Sequence, residues 1–198
     1  MAAQDRREQI LDVAEAIVGA QGFHAISIEA VARGAGISRP VVYEHFGDLP
    51  GLLEALIARL GERALRQLGA VLPVALDAAD PREQLIAALR GYLEAAEADP
   101  VTWRLVLMPP EGAPPAARDL IAIGRSAVVS QLAEAVRPGI AGGGQTPDAE
   151  LTARMLSTFA DEGVRLVLTN PEEYPVERIL AHAGWLLDQL EPIGGRRP

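Results

Sequence analysis

Helix-spaced apolar residues run almost without a break through this chain and strand-like alternation is nearly absent, so an all-α fold is the frame every other feature must fit. From Gln4 to Gly19 the apolar positions Ile10, Val13, Ala14, Ile17 and Val18 recur at helical spacing, and Gly22 stops the run. Ser27 is placed to cap a short second helix to about Ala35, with Ile28, Val31 and Ala32 on its inner side and Gly36 breaking it. Ile37 then enters the core, and Ser38 is placed to cap a third helix, Arg39 to His45. Pro40 is tolerated there because amides of a first turn have no intrahelical partner. Asp48 caps a fourth helix, with Pro50 in its first turn, that runs to about Val71 before Pro73.

The same grammar repeats downstream. Asp80-Pro81 and Asp99-Pro100 open helices of about 81–98 and 100–108. Pro109, Pro110, Gly112, Pro114 and Pro115 form a stiff loop ahead of a helix from Ala116 to Val136. Arg137 to Pro147, with Gly142-Gly143-Gly144, reads as the most mobile internal segment. Thr146-Pro147 starts a helix to about Thr169, Asn170-Pro171 ends it, and a last helix spans Pro175 to Leu190, followed by a disordered tail from Gly194 to Pro198.

Composition narrows the function classes. Of 198 residues 49% are hydrophobic, ample for a packed core, yet no stretch reaches the roughly 18 uninterrupted apolar residues of a membrane span. The first residues lack the apolar core of a secretory signal, so a cytoplasmic location is expected. Absence of cysteine removes disulfides, thiolate metal sites and cysteine nucleophiles together, and His24, His45 and His182 are far apart. No nucleophile elbow, phosphate loop, zinc spacing or Schiff-base Lys is present, all 18 basic residues being Arg; Asp161-Glu162 and Glu172-Glu173 read as surface or cap acids. Neither an enzyme nor a bound cofactor or metal is expected. The net charge of −9 speaks against non-specific coating of nucleic acid, and residues 1–50 carry four Arg against seven acids, a balance of −3.

Two short helices joined by a tight glycine-containing turn, with a longer helix before them, form the pattern of a three-helix DNA-binding unit. The stretch Arg7-Glu-Gln-Ile-Leu-Asp-Val-Ala14, then Gly22-Phe23, Ser27-Ile-Glu-Ala-Val-Ala32 and Ala35-Gly-Ile-Ser-Arg-Pro-Val-Val-Tyr-Glu-His-Phe46 closely resembles the N-terminal signature of the TetR family. The likeness spans about residues 7 to 57, and beyond it only the layout of several helices, two long ones last, is similar. The resemblance implies a helix-turn-helix DNA-binding domain over residues 1–47 and a larger helical ligand-binding and dimerisation domain over 48–198.

On the third helix, Val42 and Phe46 face the first two helices, which turns Pro40, Tyr43 and Glu44 outward with Arg39, Val41 and His45 at the edges. Arg39, in the first turn, suits guanine O6 and N7 in the major groove. By resemblance Tyr43 and His45 hold phosphates, and Ser27 and Ser38 add phosphate contacts to their capping role. Where the family usually has a phosphate-touching Lys this chain has Leu49, and Glu29 and Glu44 lie on or near the DNA-facing side, so recognition rests on few contacts.

A palindromic double-stranded DNA operator, a homodimer and a small-molecule effector are the implied partners, with repression as the default. The expected dimer stripes include Met155, Phe159, Gly163 and Val167 on one helix and Ile179, Ala183 and Leu187 on the next, packed by resemblance as a four-helix bundle, with Ala160 and Gly163 permitting close approach. Candidates for the effector pocket are the bulky or polar residues within aliphatic helices, namely Tyr92, Trp103, Leu107, Met108, Arg125, Thr158, Phe159 and Glu162. Trp103-Arg104, an aromatic wall beside a cation, suits an aromatic or acidic effector. The resemblance further implies that ligand favours a separation of the paired reading heads that misfits the operator, with the fourth helix transmitting the change. The rival reading is a helical adaptor of the same fold that has lost DNA binding.

Overall fold

The computed structural model describes residues 3–73, 80–109, 115–140 and 148–190. Gly142-Gly143-Gly144, Thr146-Pro147, most of the proline-rich loop and the tail from Gly194 lie outside the described residues. The described part is helical: α1 (Ala3–Gln21), a short 3-10 turn (Phe23–Ala25), α2 (Ile28–Gly34), α3 (Arg39–Phe46), α4 (Leu49–Val71), α5 (Pro81–Ala98), α6 (Pro100–Leu107), α7 (Pro115–Ile140), α8 (Ala149–Thr169) and α9 (Val176–Leu190). None of these is long and apolar enough to cross a membrane. The chain divides into two compact units, Met1–Ala64 with Pro100–Gly124, and Leu65–Asp99 with Arg125–Pro198.

In the first unit the expected inner positions form one core. Ile10, Ala14, Val31, Val42, Leu52 and Leu56 lose essentially all solvent exposure, and Phe46, Leu49 and Ile37 pack against them. Burial of this kind contributes about 1.5–3 kcal/mol per large aliphatic side chain. The part-buried Arg59, reaching Glu8, Asp12 and Glu15 of α1, and Arg63, on Glu15 at 2.5 Å, add less, since part-exposed ion pairs contribute about 0–1 kcal/mol each.

Local signals explain the turns. Ser27 accepts from the amide of Ala30 at 3.1 Å, as a capping serine should. At the end of α2, Gly36 adopts φ 65° and the amide of Ile37 reaches the Ala32 carbonyl at 3.0 Å, a closure that a β-carbon would strain. Ser38 departs from expectation. It holds the extended backbone of a cap, but its hydroxyl makes no capping hydrogen bond. The reason is Pro40: the second amide of the helix is missing, and the third, that of Val41, is donated to the Ser38 carbonyl at 3.1 Å.

In the second unit α5 packs against both α8 and α9. Asp80 caps α5 as expected, accepting from Glu83 at 3.0 Å. Two boundaries are corrected. α7 runs on to Ile140, four residues beyond Val136 and into the stretch read as mobile, and α8 is capped by Asp148, which accepts from the amides of Glu150 and Leu151, and begins at Ala149. Gly163 allows a close approach, but within the chain: a β-carbon there would sit 3.2 Å from Ile179 Cγ2 of α9.

Candidate functional site

The first candidate surface is the outer side of α3. Val42 is fully buried and Phe46 half-buried, which fixes the helix rotation and leaves Arg39, Pro40, Tyr43 and Glu44 exposed, with Val41 and His45 at the margins. Tyr43 keeps 49% of its surface although it is large and aromatic, a combination that burial alone does not explain. Ser38 is exposed beside them and Ser27 is half-buried. Glu29 faces solvent at 3.7 Å from Arg33, an exposed pair that leaves α2 without net charge.

Two residues of α1 hold this helix in place, and neither was singled out by periodicity. Arg7 donates to the carbonyl of His45 at 3.1 Å and lies 4.4 Å over the Phe46 ring, placing a cation against the C-terminal carbonyls of α3. Gln9 donates to the Ala35 carbonyl at 3.1 Å, tying down the turn between α2 and α3. Both are hydrogen-bond partners of backbone atoms, for which the sequence carries no spacing signal.

The second candidate site is a cavity of about 320 Å³ inside the second unit, walled by α4, α5, α7, α8 and α9. Its wall is aliphatic except for Tyr92, Phe159, Ser157 and Asp161. Asp161, read from sequence as an ordinary surface or cap acid, is instead buried. One carboxylate oxygen accepts from the Tyr92 hydroxyl at 3.0 Å and the other from Arg125 at 2.9 Å. Burial pushes the Asp161 carboxyl above the ordinary aspartate range, while Arg125, then Tyr92, draw it part of the way back. Burial, with the neighbouring Asp161 charge adding to it, drives the Tyr92 hydroxyl strongly upward, so it stays a donor.

Of the residues expected to line a pocket, Tyr92 and Phe159 do so. Arg125 supports the wall from outside through Asp161. Trp103 is wholly buried and, with Leu107 and Met108, belongs to the first unit, so it is packing rather than an effector wall. Thr158 is exposed and bonds back to the Arg154 carbonyl, and Glu162 is exposed beside Arg165. An aromatic or acidic effector beside Trp103-Arg104 therefore has no support in this geometry.

Comparison with known proteins bears on both sites. The family model described as bacterial regulatory proteins, tetR family, matches residues 10–56, the span that builds α1 to α3 and enters α4. The HTH-type transcriptional regulator BetI of Yersinia pestis (strain Pestoides F) is 35% identical over 96 residues, 46% of this chain and 46% of that protein. A TetR-like transcriptional regulator from Rhodococcus sp. RHA1 shares 25% identity over 93% of this chain and 94% of its own, with a TM-score of 0.70. Residues 10–56 are thus similar to the N-terminal domain of TetR-family regulators, and the fold of the whole chain is similar to that of a TetR-like regulator.

The chain matches about half the length of its curated relative, whereas the likeness of fold is close to complete. A transcriptional regulator from Saccharomonospora viridis, solved in complex with choline, has the same fold at a TM-score of 0.74 and 23% identity, covering 93% of this chain and 96% of that one. Such relatives are transcriptional regulators rather than enzymes. Two TetR-family features are modified here. Leu49, at the usual Lys position, packs against the first core. Within the expected dimer stripes, Gly163, Val167, Ile179 and Ala183 are buried inside the single chain, while the half-buried Phe159 and Leu187 and the 67% exposed Met155 line the cavity; Leu151 and Trp185 are 55% exposed each.

Proposed function

We propose that this TetR-like chain is a ligand-responsive transcriptional regulator of the cytoplasm, a repressor that grips a palindromic operator as a homodimer and is released by a small molecule. The reading assigns residues 1–47 to DNA binding and 48–198 to ligand binding and dimerisation. What carries it is the outer face of α3: a cation and a half-exposed aromatic on a helix whose opposite face is locked into the core. Arg39 reads a base edge, Tyr43 and His45 contact phosphate, Ser27 and Ser38 add hydroxyls, and Pro40 and Val41 pack against the groove.

One such module binds too weakly to choose a site in a genome, so two copies must read half-sites about one helical turn, or a multiple, apart. The exposed Leu151, Met155 and Trp185 of α8 and α9 are the surface we assign to the second copy. A ligand in the Asp161 cavity that prefers one separation of the paired heads lowers DNA affinity, and by linkage DNA lowers ligand affinity equally.

Selection of bound fragments from a random duplex pool tests this reading. A palindrome bound by two chains, with strong salt dependence, is expected. Failure to enrich any sequence at low salt would instead favour an adaptor that has kept the fold and lost DNA binding.

A further inference from the structure

Asp161 is the one charged side chain among the described residues lining the cavity, and its surroundings define what a ligand can bring. Its Arg125 partner keeps 49% of its side-chain exposure and does not line the cavity, so the cation sits on the far side of the carboxylate. Arg165 is engaged by Glu162 at 3.3 Å and likewise does not line it. A carboxylate offers about four acceptor directions, of which Tyr92 and Arg125 take two.

We infer that the cavity takes an uncharged, mostly hydrocarbon molecule whose single polar group is a hydrogen-bond donor, a hydroxyl or amide N–H, received by Asp161. This rests on reading the cavity as the effector site. A space of 320 Å³, at about 30 Å³ for each water-sized group, accommodates about ten non-hydrogen atoms. The walls supply apolar contact from Leu68, Leu89, Leu132, Leu156 and Leu186, so most of the ligand is hydrocarbon. An acid would set its carboxylate against Asp161 with no cation on the cavity side. A cation would leave water for a wall whose one carboxylate Arg125 already balances, with only Tyr92 and Phe159 as ring faces.

The test is calorimetric titration of the full chain, at about pH 8 where carboxylic acids are ionised, with three probes that each carry a nine-carbon chain: nonyl alcohol, nonanoate and nonyltrimethylammonium. Nonyl alcohol is expected to bind about tenfold or more tighter than either charged probe. Asp161→Asn keeps an acceptor and removes the charge, so it should still bind nonyl alcohol while the alcohol-to-nonanoate ratio falls several-fold. A charged probe binding as tightly as the alcohol, no binding by any probe, or an unchanged ratio in Asp161→Asn overturns the inference; if that variant fails to fold, the wild-type order decides. Because the titration contains no DNA, tight nonyl alcohol binding that leaves operator affinity unaltered would uphold the ligand class and remove the effector role instead.

Discussion

Helices α1–α3 and the cavity-bearing helices α5, α8 and α9 bury the same kinds of aliphatic side chain, but they differ in what remains once burial is satisfied. On α3 the remainder is a set of side chains that do not belong on an idle surface, Arg39 and Tyr43 foremost. In the second unit the remainder is empty space with one carboxylate in its wall. A surface that reads a partner announces itself by residue type, whereas a cavity is made of residues indistinguishable from core and shows only as packing left incomplete.

Equal truncations in the two regions should therefore have unequal effects. Leu56→Ala, at a fully buried position of the first core, is expected to lower unfolding free energy by about 2–5 kcal/mol in denaturant titration, since it opens a new void. Leu187→Ala, on the half-buried cavity wall, should cost about 1 kcal/mol, because part of that side chain already lacks neighbours. Comparable losses at both would mean the cavity closes in solution.

Arg7→Ala sharpens the contrast from the other side. It removes the donor to the His45 carbonyl and the cation over Phe46, and should cost about 1 kcal/mol of stability while also weakening DNA binding, although Arg7 itself is proposed to touch no base. Rescue of DNA affinity by Arg7→Lys only in part would fit a positioning role, because Lys lacks the planar fork. The smallest effect is a pH dependence. The folded-state Asp161 carboxyl lies above its unfolded value, so the stability it contributes is full below the ordinary aspartate range and is lost as pH rises through the folded value. The unfolding free energy of Asp161→Asn minus that of wild type should accordingly increase as pH rises above the ordinary aspartate range.

Most of the fold was legible in the sequence because caps and breakers act locally: Ser27, Gly36, Asp48 and Asp80 each do in space what their position promises. The rotation of α3 was legible too, since Val42 and Phe46 leave it little choice. Ser38 misled because capping depends on which amides are available, and Pro40 removes one. Trp103 misled because an aromatic beside an arginine looks the same in a pocket and in a core. Asp161 was missed, although its register carried a signal: it falls on the same face as Ala153, Val164 and Leu168, all buried, where an acid needs a partner. What no periodicity could supply was that partner, since Tyr92 and Arg125 come from distant helices.

Fluorescence anisotropy on a palindromic fragment from the selection, comparing wild type with Arg39→Ala, tests most directly whether the outer face of α3 reads a groove of duplex DNA. A loss of about ten- to hundredfold in affinity, with the melting temperature unchanged, is expected for a lost bidentate base contact. Equal affinity of the two proteins across the salt range would contradict it and return α3 to the status of a solvated surface.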